Sequence, residues 1–163
     1  MRRILPVFAL LLAISSAAAF AVEITPESVL AGMNAERKAR DLPPLQFDPR
    51  LSAAADDRMH DMENLGYWSH ESPDGRAPFV WLASNGYRFS YAGENLAAGF
   101  ETEELLMQSW MESKGHRANI VSPLYADCGI AVIEGSTTRR ASGKSIVVMF
   151  GRLQAADHQR SEK

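Results

Sequence analysis

The sequence predicts an α+β domain, with helices packed on an antiparallel sheet. Three observations predict it. Helix starts and apolar stripes at spacings of three and four fill the first two thirds of the 163-residue chain. Two β-rich runs, Cys128–Ile133 and Ser145–Phe150, lie near its end. The polar stretch between them, Glu134–Lys144, reads as a hairpin loop. No internal repeat or domain linker interrupts the pattern.

Residues 1–21 read as an export signal ahead of the domain. Arg2 and Arg3 give a basic start, Ile4–Ile14 is apolar but for Pro6, and Ser15 to Ala19 are small. Cleavage after Ala19 and after Ala21 both satisfy the A-x-A rule, and the second is preferred. The apolar stretch is short against the ~20 residues of a bilayer span, which favours cleavage over an uncleaved anchor. No stable membrane span is then expected. Residues 22–153 are long enough for one domain with its own core, and 154–163 form a polar tail.

Within the domain, Thr25-Pro26-Glu27 is a helix start, followed by an apolar face of Val29, Leu30 and Met33 and an end near Arg40. Asp48-Pro49 starts a second helix, with the stripe Leu51, Ala55, Met59, Met62, Leu65 and a stop at Gly66. Ser72-Pro73-Asp74-Gly75 is a turn, and a short helix over Phe79–Ser84 closes on Asn85-Gly86. Tyr87–Tyr91 alternates as a strand does, and Gly93-Glu94-Asn95 is expected to break it. Thr102 caps a further helix that Lys114-Gly115 is expected to end.

The chain carries 17 basic and 20 acidic side chains, and loss of Arg2 and Arg3 leaves 15 against 20. A mildly acidic domain without a basic stripe excludes nucleic acid as the expected partner and gives no polybasic attraction to anionic membranes. The single cysteine, Cys128, cannot form an internal disulfide and reads as a small buried hydrophobe.

Three segments together resemble one family. Tyr67-Trp68-Ser69-His70 with Ser72-Pro73-Asp74-Gly75, then Tyr91-Ala92-Gly93-Glu94-Asn95-Leu96-Ala97, then Trp110-Met111-Glu112-Ser113 with Gly115-His116-Arg117-Ala118-Asn119-Ile120 resemble, in order, motifs of the CAP superfamily, the SCP-like extracellular domain. The start of a strand at Cys128-Gly129-Ile130-Ala131 also fits. The resemblance runs from about Ser28 to Gly151 and points to the bacterial branch. It implies an α-β-α sandwich, with a three-stranded antiparallel sheet between helices and a surface cavity. In many members that cavity holds two His and two acidic residues, and some bind a divalent cation. Carried over by position, these are His70, His116 and Glu94. The second acidic position of eukaryotic members falls on Ser113, with Glu112 one residue earlier.

Two imidazoles and a carboxylate suit zinc with water in the fourth position, so His70, His116 and Glu94 are the expected ligands of zinc or another divalent cation. Without metal, the same groups suit acid–base work. They also suit a hydrogen-bonded cluster that ties loops to the sheet. Asn95 and Asn119 are expected to support the site by bonding backbone groups. Ser69, Ser109 and Ser113 are the available hydroxyl nucleophiles, and no nucleophile–base pair is evident. The expectation is a secreted or periplasmic protein whose His/Glu cavity binds a divalent cation or small ligand. The alternatives are a metal-assisted hydrolase acting on envelope material or peptides, and a non-catalytic module that binds another exported protein.

Overall fold

A computed structural model describes residues 21–135 and 142–155. Residues 1–20 of the expected export signal, residues 136–141 of the expected loop and residues 156–163 of the expected tail lie outside the described residues. Gln154, the first residue of the expected tail, is tied down: its N–H donates to the Arg88 carbonyl and its side-chain amide to that of Phe89.

The helices begin where their caps stand. Helix α1 (Pro26–Lys38) opens with a reciprocal capping box between Thr25 and Ser28. In α2 (Pro49–Leu65) the Asp48 carboxylate accepts the Arg50 N–H, and Gly66 ends the helix in the left-handed region at φ 67°. A single turn, α3 (Val80–Ser84), precedes the long strand, and Thr102 caps α4 (Glu103–Glu112). Helix α5 (Lys114–Ile120) follows directly. The strands are β1 (Gln46–Phe47), β2 (Phe89–Phe100), β3 (Asp127–Glu134) and β4 (Lys144–Leu153), in the order β1-β3-β4-β2.

Alternation along the strands sorts side chains into two cores. Ile146, Val148 and Phe150 of β4 join Val29 and Met33 of α1, Leu106 and Trp110 of α4 and Ile120 of α5. Val147 and Met149 point the other way, to Leu51, Met59 and Met62 of α2 and Trp81 and Leu82 of α3. The fold is therefore an α-β-α sandwich with the sheet as its middle layer. Cys128 is buried in the first core, and burial pushes its thiol up to about 12.

Three expectations are corrected. First, Gly93-Glu94-Asn95 does not break a strand: β2 runs through it and pairs residue for residue with β4. A Cβ on Gly93 would lie 2.5 Å from the Tyr125 hydroxyl, so this glycine admits a neighbour and turns nothing. Second, Lys114-Gly115 does not end the helical region. The break falls at Ser113, which caps α4 and leads into α5, so His116 is a helical residue. Gly115 keeps a negative φ, and burial of Ile120 offsets its ~1 kcal/mol helix cost. Third, the sheet has a fourth strand: β1 pairs parallel to β3, while β3–β4 and β4–β2 are antiparallel. Two residues are too few to show a period in the sequence.

The approach of α2 to the sheet depends on Gly129 of β3. A Cβ there would lie 1.9 Å from the Leu51 carbonyl carbon and 2.1 Å from the Ser52 nitrogen, both backbone atoms of α2. Gly129→Ala is therefore expected to cost at least about 2 kcal/mol, since a rigid helix must move to admit it. The shift in urea midpoint measures this.

Candidate functional site

Glu94 sits mid-strand on β2, where the pleat turns its side chain into the α2 side of the sheet. Its side chain is only 2% exposed, and both carboxylate oxygens are engaged. Oε2 accepts from Nε of Arg58 at 3.0 Å, and Oε1 lies 2.7 Å from Nδ1 of His70. A buried carboxylate needs such partners, since desolvation of an unpaired charge costs several kcal/mol.

Arg58 rises from the buried face of α2 and is itself fully buried. Its Nη1 donates to the Tyr67 hydroxyl and its Nη2 to the Ser69 carbonyl, two anchors on the segment that ends in His70. Its guanidinium lies over the Trp81 ring, 4.7 Å from the centroid. The Tyr67 hydroxyl donates onward to Asp61. One side chain thus ties helix, loop and strand together.

His70 lies at the open end of this chain, with 60% of its side chain exposed. The hydrogen bond to Glu94 raises its pKa, against a smaller opposing effect of burial. A carboxylate only accepts, so Nδ1 is the donor in its pair with Glu94, and His70 makes no other hydrogen bond among the described residues. Beside it opens a cavity of about 400 Å³. Glu94, Gly93 and Ala92 of β2 line it, together with Pro78, Phe79, Asn119 and Tyr125.

Asn119 and Asn95 are braces. Asn119 Nδ2 donates to the Glu94 carbonyl at 3.1 Å and to Asn95 Oδ1 at 2.9 Å, and Asn95 Nδ2 donates to the His116 carbonyl at 3.2 Å. They stitch α5 to β2. His116 itself is half-buried against the Trp110 ring, with centroids 6.1 Å apart, and does not line the cavity. Burial, then the charge on His70, lowers its pKa. Ser113 joins α4 to α5 and is likewise absent from the lining. Neither Ser69, Ser109 nor Ser113 hydrogen-bonds to a histidine ring among the described residues.

These residues do not fit a divalent cation held by all three expected ligands. Glu94 is committed to Arg58 and His70, which leaves at most two imidazoles, and one stands outside the cavity. Among the described residues no three His, Cys, Asp or Glu side chains are disposed to hold a metal ion.

Sequence reasoning missed Arg58, Tyr125 and Phe79. A signal for Arg58 was present: it falls at the apolar spacing of Leu51, Ala55 and Met62 on α2, where a solvated cation does not belong. Tyr125 and Phe79 lie in loops and had none.

A three-layer sandwich with an imidazole–carboxylate pair at an open cavity defines an SCP-like domain. The model of the cysteine-rich secretory protein family, CAP, matches residues 30–150, and the chain belongs to that family. The uncharacterized protein YkwD of Bacillus subtilis (strain 168) is 39% identical over 113 residues, which cover 68% of this chain and 44% of that protein. The chain thus spans less than half of this curated relative. An extracellular protein containing an SCP domain from Bacillus anthracis (strain Ames) matches with TM-score 0.65 at 27% identity, over 77% of this chain and 39% of that one. An outer surface protein from Borrelia burgdorferi matches with TM-score 0.69 at 18% identity, over 83% of this chain and 100% of that one, a likeness of fold alone. Among the described residues no helix is long and apolar enough to cross a membrane.

Removal of the Arg58 side chain leaves Glu94 buried and unpaired. Arg58→Met is expected to cost about 3–5 kcal/mol in chemical unfolding. Arg58→Lys should recover little of it, because one ammonium cannot span Glu94, Tyr67 and Ser69.

The two histidines shape opposite flanks of the pH profile. With its pKa raised in the fold, His70 contributes stability that is complete below the ordinary value of about 6.5 and lost as pH rises through the raised value. With its pKa lowered, His116 contributes a loss that begins below about 6.5 as pH falls toward the lowered value. Urea midpoints measured from pH 5 to 9 are expected to lose the alkaline slope in His70→Gln and the acid slope in His116→Gln.

Proposed function

We propose that this chain is an exported CAP domain whose cavity binds a small organic ligand through His70. The observation that carries the proposal is the 2.7 Å contact between His70 Nδ1 and Glu94 Oε1 at the rim of an open cavity. With Nδ1 turned to Glu94, protonation makes Nε2 a second N–H, and an imidazolium offers donors only. The matching ligand group is a hydrogen-bond acceptor, best a carboxylate. Pro78, Phe79, Ala92 and Tyr125 supply an apolar wall for the rest of such a molecule. Action outside the cytoplasm is supported by the signal-like start of the sequence and by the likeness to a Bacillus anthracis protein described as extracellular.

Benzoate combines a carboxylate with an apolar body and serves as the probe. Titration into the full-length mature chain at pH 6, followed by the imidazole resonances, should shift His70 saturably and leave His116 nearly still. His70→Gln should abolish saturation. Zinc is the competing arm: a stoichiometric shift of both His70 and His116 by zinc, reversed by chelator, with no response to benzoate, would overturn this assignment in favour of a metal site.

A further inference from the structure

A second cavity, of about 510 Å³, opens where β2 and β3 begin and β4 ends, and it shares no lining residue with the one beside His70. Four charged side chains line it: Asp48 and Arg50 at the start of α2, Asp127 at the start of β3 and Arg152 near the end of β4. Two of them neutralise each other. Arg50 Nε donates to Asp48 Oδ1 at 3.0 Å and Nη2 to Oδ2 at 2.6 Å, and the guanidinium lies over the Tyr87 ring. The other two have no charged partner among the described residues. Arg152 donates from Nε to the Leu124 carbonyl at 2.6 Å and from Nη2 to that of Pro123 at 3.0 Å, both neutral groups. Asp127 Oδ2 accepts the hydroxyl of the buried Tyr87 at 2.6 Å, also neutral. Gly151 of β4 makes room for that phenol, since a Cβ there would lie 2.4 Å from the Tyr87 ring. The cavity therefore holds one cation and one anion, each fixed by neutral groups and neither paired. Nη1 of Arg152 and Oδ1 of Asp127 make no hydrogen bond among the described residues and keep their bonding capacity for a ligand.

We propose that this cavity binds a zwitterionic α-amino acid with an apolar side chain. The ligand carboxylate matches the guanidinium of Arg152, and its ammonium matches the carboxylate of Asp127. A simple anion would meet Asp127 as a like charge, and a simple amine would meet Arg152 in the same way, so the site selects against both. Ala126, Leu153 and Ala155 offer apolar contact to the ligand side chain. This site stands independently of the reading of His70.

L-Leucine is the probe. Titrated into the full-length mature chain at pH 7, it should shift the backbone amide resonances of Ala126, Asp127 and Leu153 saturably. The same shifts with the same midpoint are expected in His70→Gln, which separates this cavity from the other. N-acetyl-L-leucine lacks the ammonium and L-leucinamide lacks the carboxylate. Each should bind at least about tenfold more weakly than L-leucine, the loss of one charge-assisted hydrogen bond. Asp127→Asn keeps an acceptor for the Tyr87 hydroxyl. It should weaken L-leucine by a similar factor and leave N-acetyl-L-leucine no weaker than before. The proposal is overturned if no shift saturates by about 10 mM L-leucine. It is also overturned if either blocked analogue binds as well as L-leucine, or if His70→Gln removes the shifts.

Discussion

The guanidinium of Arg58 is the interaction on which the rest of the site depends. It is fully buried, yet it reaches three elements far apart in the chain: Glu94 on β2, the Tyr67–Ser69 segment and the Trp81 ring on α3. A buried cation tolerates no loose geometry, because each unmade hydrogen bond costs its full desolvation. The segment bearing His70 has no regular structure of its own, and Arg58 holds it at the edge of the sheet. Glu94 neutralises the cation, and its remaining oxygen orients His70. The exposed imidazole is thus the outer end of a chain of forced choices that begins inside α2.

A second arginine does the same work on the other face. Arg37 of α1 is buried and donates to four backbone carbonyls: Pro43 at 2.8 Å, Ile120 at 2.9 Å, Ser122 at 2.8 Å and Tyr125 at 3.2 Å. No carboxylate pairs with it among the described residues. It lies under the segment from α5 to β3 and so sets the height of Tyr125, whose hydroxyl donates to the Ala92 carbonyl at 3.1 Å. The cavity hangs between two irregular segments, each pinned from its own layer by one buried arginine. Ala92, Gly93 and Glu94 of β2 line the cavity together with these segments and Asn119 of α5.

How much was legible follows from this arrangement. Helix starts at Thr25, Asp48 and Thr102 were readable, because a cap is a local event between a side chain and a nearby N–H. The three-layer order came only through the resemblance; the pattern gave helices packed on a sheet, although Ser145–Phe150 proves to be buried on both faces, as a strand covered on both sides must be. The partnership of His70 with Glu94 was legible as two motifs and not as a distance. The role of Gly93 was misread, since a glycine that ends a strand and one that admits a tyrosine look alike until the tyrosine is placed. Lys114-Gly115 was misread for a similar reason: local propensity sees a break there, whereas the break falls at Ser113 and burial of Ile120 sustains the helix that follows. Arg58 and Arg37 both stand at apolar stripe positions, yet their partners are carbonyls and a carboxylate from distant segments. No spacing rule reaches those.

The floor of the cavity at Gly93 is bare backbone, and the Tyr125 hydroxyl closes to within 2.5 Å of where a first carbon would stand. Nothing grafted onto that floor could point into the hollow without displacing the tyrosine. The lip at Pro78 and Phe79 is freer to vary in shape: it belongs to the irregular stretch ahead of α3 and shares no hydrogen bond with the imidazole or its acid among the described residues. The lip and the imidazole–carboxylate pair are built by separate parts of this molecule. A descendant could exchange its lip for a narrower or greasier one and keep the same poised ring beneath it.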